Sequence, residues 1–65
     1  MSFKENLKKL RKEQKIGQQE MAEKLSVSVK TISHWETGYT EPSISQLIAI
    51  ANIFDISIDE LVDRI

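Results

Sequence analysis

The chain has 65 residues, enough for a single domain spanning residues 1–65, and a formal net charge of −1. It has no cysteine, which excludes a disulfide scaffold, and its only histidine has no second soft ligand near it, so no metal site is expected. No apolar run approaches the roughly 18 residues of a membrane span and the N-terminus has no apolar signal core, so we expect a cytoplasmic protein.

The charges are distributed unevenly along the chain. Residues 1–35 hold eight of the nine Lys and Arg residues and four acidic residues, a net charge of +4, whereas residues 36–65 have a net charge of −5. Such a distribution can present a basic face to phosphate while the whole molecule stays near neutral. Ordinary surface charge explains the same pattern equally well.

The first helix is predicted to begin near Phe3, because Ser2 and Glu5 have the spacing of a capping box. Leu7 and Leu10 continue an apolar stripe from Phe3, and lysines cover most of the remaining surface. The segment therefore predicts an amphipathic helix with a basic outer side.

The segment 18–38 predicts two short helices joined by a tight turn. In the first of them, Met21, Ala22 and Leu25 form one buried stripe. Gly17, just before it, can start this helix, although it offers no side-chain cap.

Ser28 is suited to cap the third helix, which we expect to run to about Thr37 and to end at Gly38 in a left-handed conformation. At about 100° per residue, Ile32 and Trp35 fall on one side, which should face the core. The opposite side offers polar groups and one small apolar group, on Val29, Lys30, Ser33, His34 and Thr37.

Two further capping boxes predict the last two helices. Ser43 with Gln46 opens the most apolar helix, which we expect at the centre of the core. Its apolar residues in helical register are Ile44, Leu47, Ile48, Ala51 and Phe54. Ser57 with Glu60 opens a short final helix, so the sequence predicts an all-α fold of five helices.

Three stretches of the chain, in their order and spacing, resemble the helix-turn-helix signature of the phage-repressor/Cro (XRE-type) family. They are Gln18-Gln19-Glu20-Met21-Ala22, Thr31-Ile32-Ser33-His34-Trp35-Glu36-Thr37-Gly38 and Pro42, and the similarity extends from about Leu7 to Leu61. The resemblance implies a compact, five-helix, lambda-repressor-like domain with the helix-turn-helix at its second and third helices. It also implies a sequence-specific transcriptional regulator, a repressor, that binds double-stranded DNA.

In such a protein the third helix enters the major groove, where each base pair has a distinct pattern of donors, acceptors and methyl groups. Lys30 can donate to guanine or to a phosphate, Val29 can pack on a thymine methyl group, and His34 can bond a base edge. The residues expected at the DNA are Gln18, Ser28, Val29, Lys30, Ser33, His34, Thr37 and Tyr39.

The phosphate contact at Gln18 is implied by the resemblance, and the free N–H groups at a helix start also favour an anion there. At Thr37 and Tyr39 the family often has asparagine and a cation, so the chain departs from the pattern at both positions. The resemblance further implies a partly buried ion pair between Arg11 and Glu36, to which two unconnected surface charges are the alternative.

One reading helix covers only a few base pairs, so we expect a homodimer on a palindromic site. The C-terminal apolar residues are more numerous than a short helix usually buries. Those expected to contribute to the dimer contact are Ile58, Leu61, Val62 and Ile65.

The alternative function is a protein-interaction module that keeps the fold without binding DNA, which the net acidic balance and the missing loop cation favour. An enzyme is not expected, because the sequence has no Gly-rich phosphate loop and no thiol. Ser33 and His34 also point about 100° apart and form no dyad. No cofactor and no small-molecule site are expected.

Overall fold

The computed structural model describes residues 3–62, which form five helices. These are α1 (Phe3–Glu13), α2 (Gln18–Leu25), α3 (Val29–Thr37), α4 (Ile44–Phe54) and α5 (Ile58–Val62). The described residues contain no strand, which confirms the all-α prediction. None of these helices has the length and apolar character that crossing a bilayer requires.

Side-chain caps start three of the helices at the predicted positions. Ser28 Oγ accepts a hydrogen bond from the backbone N–H three residues later, at 3.1 Å. Ser43 and Gln46 each accept from the other's backbone N–H, at 3.2 and 2.8 Å, and Ser57 and Glu60 do the same at 3.0 and 3.1 Å. The polar residues between the apolar stretches therefore fix where α3, α4 and α5 begin.

The remaining helix ends also follow the sequence. α1 is helical from Phe3, the first described residue, and Ser2, its expected cap, lies outside the described residues. Gly17 precedes α2 in an extended conformation without a side-chain cap, and Gly38 ends α3 with φ +82°. Gly38 thus takes the left-handed conformation that glycine adopts at least cost.

All five helices contribute to one apolar core. Ile32 and Trp35 are 0% and 2% exposed, so α3 packs with the predicted side inward. The other buried apolar residues are Leu7, Met21, Ala22, Ile50, Ala51, Phe54 and Leu61. Because its inner side is committed to this core, α3 presents the opposite side to the surface.

The prediction of which α4 residues face the core is partly wrong. Ile44 and Ile48 are 76% and 46% exposed, whereas Ile50 is fully buried. The helix packs against α2 and α5 with a stripe of Leu47, Ile50, Ala51 and Phe54. Ile44 lies one turn before this stripe and Ile48 lies about 100° to its side, so neither reaches the core.

The prediction that Leu61 contributes to a dimer contact is wrong. Leu61 is 0% exposed, because α5 packs against both α1 and α4. Asn6 of α1, itself buried, donates from Nδ2 to the Leu61 carbonyl at 2.9 Å. Ile58 and Val62 remain partly exposed, and Ile65 lies outside the described residues.

Candidate nucleic-acid interface

The residues predicted to contact DNA come from the start of α2, from α3 and from the loop that follows α3, and none of them is buried. Lys30, Thr37 and Tyr39 are exposed, whereas Ser33 and His34 are partly exposed. We call the outward side of α3, formed by Val29, Lys30, Ser33, His34 and Thr37, the reading face. Its backbone is fixed by the core contacts on the other side of the helix.

Several of these predicted side chains also have partners within the protein. Val29 packs against the core, so only part of it is available to a thymine methyl group. Ser28 caps α3 and lies 2.9 Å from the Thr31 hydroxyl. Thr37 donates its hydroxyl proton to the His34 carbonyl at 3.2 Å, so contact with a phosphate requires this hydroxyl to rotate.

His34 and Tyr39 lie together at the C-terminal end of the reading face. Their ring centroids are 4.7 Å apart with an interplanar angle of 55°. The Tyr39 backbone N–H also donates to the His34 carbonyl, at 2.9 Å. The loop after α3 therefore folds back on the helix, and Tyr39, 76% exposed, adds a phenol to the edge of the reading face.

Arg11 and Glu36 form a bidentate ion pair between α1 and α3. Arg11 donates from Nε to Glu36 Oε2 at 2.6 Å and from Nη2 to Oε1 at 3.1 Å. The two side chains are only 11% and 4% exposed. Arg11 Nη1 also donates to the Ile16 carbonyl at 2.9 Å, which ties the loop before α2 to the same guanidinium.

The ion pair changes the proton affinities of both partners. Burial alone would raise the pKa of Glu36. Hydrogen bonds from Arg11 and Gln18 and the positive charges of Arg11 and Lys8 together outweigh this effect, so the pKa lies below its ordinary value. The hydrogen bond to Glu36 raises the pKa of Arg11 against the opposite effect of burial. The pair is therefore charged at neutral pH.

Gln18 has a partner that the sequence analysis missed. Its Nε2 donates to Glu36 Oε1 at 3.1 Å, across 18 positions in the chain. Helical periodicity gives no signal for this bond, because it does not indicate which residues of separate helices meet. A primary amide carries a second N–H, which remains available to a phosphate together with the N–H groups of the first turn of α2.

The family to which the chain belongs follows from comparison with known proteins. The helix-turn-helix family model matches residues 7–61, nearly the whole chain. The chain therefore belongs to the helix-turn-helix family, and the resemblance to the phage-repressor/Cro (XRE-type) signature is confirmed.

Two curated relatives are regulators of transcription by name. The HTH-type transcriptional regulator YqaE of Bacillus subtilis is 48% identical over 59 residues, which cover 91% of this chain and 51% of YqaE. The HTH-type transcriptional activator BcrR of Enterococcus faecalis is 41% identical over 61 residues, which cover 94% of this chain and 30% of BcrR. The chain thus spans about half of the first relative and less of the second.

A solved structure matches the fold over almost all of this chain and almost all of the chain in that structure. It is the crystal structure of the P22 c2 repressor in complex with a synthetic operator. The TM-score is 0.89 with 32% sequence identity, and the match covers 95% of this chain and 94% of the repressor chain in that crystal structure. This similarity confirms the expected lambda-repressor-like architecture.

Proposed function

We propose that this chain is a DNA-binding transcriptional regulator, not an enzyme, that reads the major groove with α3. The observation that carries the proposal is the orientation of α3. Ile32 and Trp35 are buried, so Lys30, Ser33 and His34 are presented on the accessible side of the helix. The P22 c2 repressor, whose fold this chain shares, is bound to an operator in its crystal structure.

The two ends of the helix-turn-helix have different roles in this proposal. At the start of α2, the N–H groups after Gly17 and the free amide N–H of Gln18 bind a phosphate and set the register. On α3, the reading face then tests base edges. Lys30 and His34 offer polar contacts there, and Val29 offers an apolar one.

The relatives' names point to both directions of regulation, since BcrR is called an activator and P22 c2 a repressor. We favour repression, because occupying a duplex site is enough to exclude other proteins from it. The regulator acts in the cytoplasm, where it meets its DNA.

We further propose a two-fold homodimer that places its two α3 helices about 34–36 Å apart on a palindromic site. Among the predicted contact residues within 3–62, Ile58 and Val62 remain at the surface. Light scattering over increasing concentration should show a mass that rises toward that of a dimer. A constant monomer mass up to high micromolar concentration would count against the dimer.

Selection from a random-duplex library tests the function. We expect one enriched motif with two-fold symmetry, and an affinity for it that weakens as salt is added. If no motif is enriched and duplex binding is absent at low salt, the chain does not read DNA. A protein-interaction module that keeps the fold would then be the better account.

A further inference from the structure

Three of the five basic residues of α1 lie along one edge of the helix. Lys12 lies beside that edge, about 80° from Lys4, and Lys9 lies further round the helix. At about 100° per residue, Lys4, Lys8 and Arg11 fall within an arc of roughly 60°. Arg11 bonds to Glu36, so this edge runs along α3. Lys9 falls about 140° away from Lys4, on the side of α1 that faces α5.

Lys4 reaches the end of the reading helix. Its Nζ lies 3.4 Å, and its Cδ 3.0 Å, from the position that a Cβ atom would occupy on Gly38. Gly38 directly follows Thr37, the last residue of α3. Lys4 is itself exposed, and the partial negative charge at the C-terminal end of α3 favours an ammonium group at this place.

Lys8 lies one turn further along the same edge and is also exposed. Lys8 lies between Lys4 and Arg11 on this edge, and the groups that those two contact, Gly38 and Glu36, both lie at the end of α3. The charge of Lys8 also contributes to lowering the pKa of Glu36. Glu36 already has a bidentate partner in Arg11, so the ammonium group of Lys8 is not required for that ion pair.

We propose that Lys4 and Lys8 form a phosphate-binding site on α1, which holds the DNA backbone beside the C-terminal end of α3. This site supplies from α1 the positive charge that the loop lacks, because Tyr39 stands where family members often have a cation. The proposal rests on the proposed function and adds to it a second place where the protein contacts phosphate.

An acidic residue lies beside this site. Glu41 is exposed and lines the same hollow as Lys4, together with Gly38 and Thr40. Its carboxylate weakens the attraction of a phosphate for Lys4, whereas Lys8, one turn away, does not line that hollow. Lys8 is therefore expected to contribute more than Lys4 to the affinity for a phosphate.

The experiment uses the salt dependence of binding to a mixed-sequence duplex, which measures phosphate contacts whatever the operator sequence is. The variants are Lys4→Gln, Lys8→Gln and the two combined, and the matched control is Lys9→Gln. Lys9 is an exposed lysine of the same helix, but it lines a hollow with Glu13 and Glu60 on the α5 side. Glutamine keeps the helix propensity of lysine, and circular dichroism verifies folding.

Each lost contact should reduce the slope of log K against log salt by about 0.9 for each protomer bound. For the double variant, the loss of affinity between roughly 50 and 200 mM salt should therefore be smaller than for the wild type by about 12-fold for each protomer bound. Lys9→Gln should keep the wild-type slope, and Lys4→Arg with Lys8→Arg should restore it, because arginine retains the charge.

Two results would overturn the inference. The first leaves the proposed function intact, and the second does not. If Lys4→Gln and Lys8→Gln change the slope no more than Lys9→Gln does, Lys4 and Lys8 form no phosphate site, while the proposed function stands. If the wild-type protein itself shows no salt-dependent duplex binding, the proposed function fails and the α1 site fails with it.

Discussion

At the scale of single residues, the carboxylate of Glu36 connects the reading helix to two other parts of the domain. It accepts hydrogen bonds from Arg11 on α1 and from Gln18 at the start of α2. Arg11 also holds the Ile16 carbonyl, in the loop before α2. One nearly buried group thus fixes the position of α3 relative to the helix start that we expect to bind phosphate.

Replacing Glu36 with alanine should lower the free energy of unfolding by about 3–5 kcal/mol, because the Arg11 charge would remain largely buried without a partner. A core of this size rarely supplies more than that, so the melting temperature should fall sharply. Thermal unfolding followed by circular dichroism measures the effect. Glu13→Ala, which removes an exposed acidic residue at the end of α1, is the control. Equal melting curves for the two variants would show that the ion pair contributes nothing.

The same carboxylate should make stability depend on pH. The pKa of Glu36 is lowered in the folded protein, so the unfolded chain binds the proton more readily and acid favours unfolding. The contribution is therefore complete above the ordinary carboxylate pKa of about 4.3 and is lost as the pH falls through the lower, folded value. Urea unfolding between neutral and acidic pH should show that the advantage of the wild type over Glu36→Gln shrinks in that window. An advantage that stays constant down to the lowest pH would contradict this assignment.

At the scale of helices, the sequence predicts where each helix starts and ends better than it predicts which helices pack against one another. Ser28, Ser43 and Ser57 cap their helices as expected, since capping depends on residues only three positions apart. The outward position of Ile44 and the burial of Leu61 were not predicted, because both depend on which helices lie opposite. Periodicity assigns a residue to a face of its own helix but does not identify the helix that covers this face.

The packing of α5 against α1 can be tested with two aliphatic residues of α5, one buried and one exposed. Leu61→Ala should cost about 2–5 kcal/mol, because it leaves a cavity where α1, α4 and α5 meet. Ile58→Ala, at a residue that is 36% exposed, should cost much less. Urea unfolding of both variants gives the comparison. If Leu61→Ala lowers the free energy of unfolding no more than Ile58→Ala does, Leu61 is not a core residue between α5 and its neighbours.

At the scale of the whole molecule, the overall charge of −1 conceals a division between basic and acidic regions. The sequence shows the excess of lysine before residue 36, and it predicts the reading face from the inward turn of Ile32 and Trp35. It does not show that Lys4 lies against Gly38, because 34 positions separate them and only the packing of α1 on α3 brings them together. The fold and the reading helix were therefore predictable, whereas the surface that flanks the helix was not.

The central claim is that the outward side of α3 distinguishes one base sequence from another. The measurement is the ratio of affinities for the selected duplex and for a scrambled duplex of the same length, for the wild type and for Lys30→Ala/His34→Ala. Base contacts contribute about 1–3 kcal/mol each to discrimination, so the loss of two contacts should lower the ratio at least about 30-fold in this variant. In Lys4→Gln/Lys8→Gln the two affinities should fall together and leave the ratio unchanged, because phosphate contacts carry no sequence information. A wild-type ratio in Lys30→Ala/His34→Ala would contradict the claim that α3 reads the DNA.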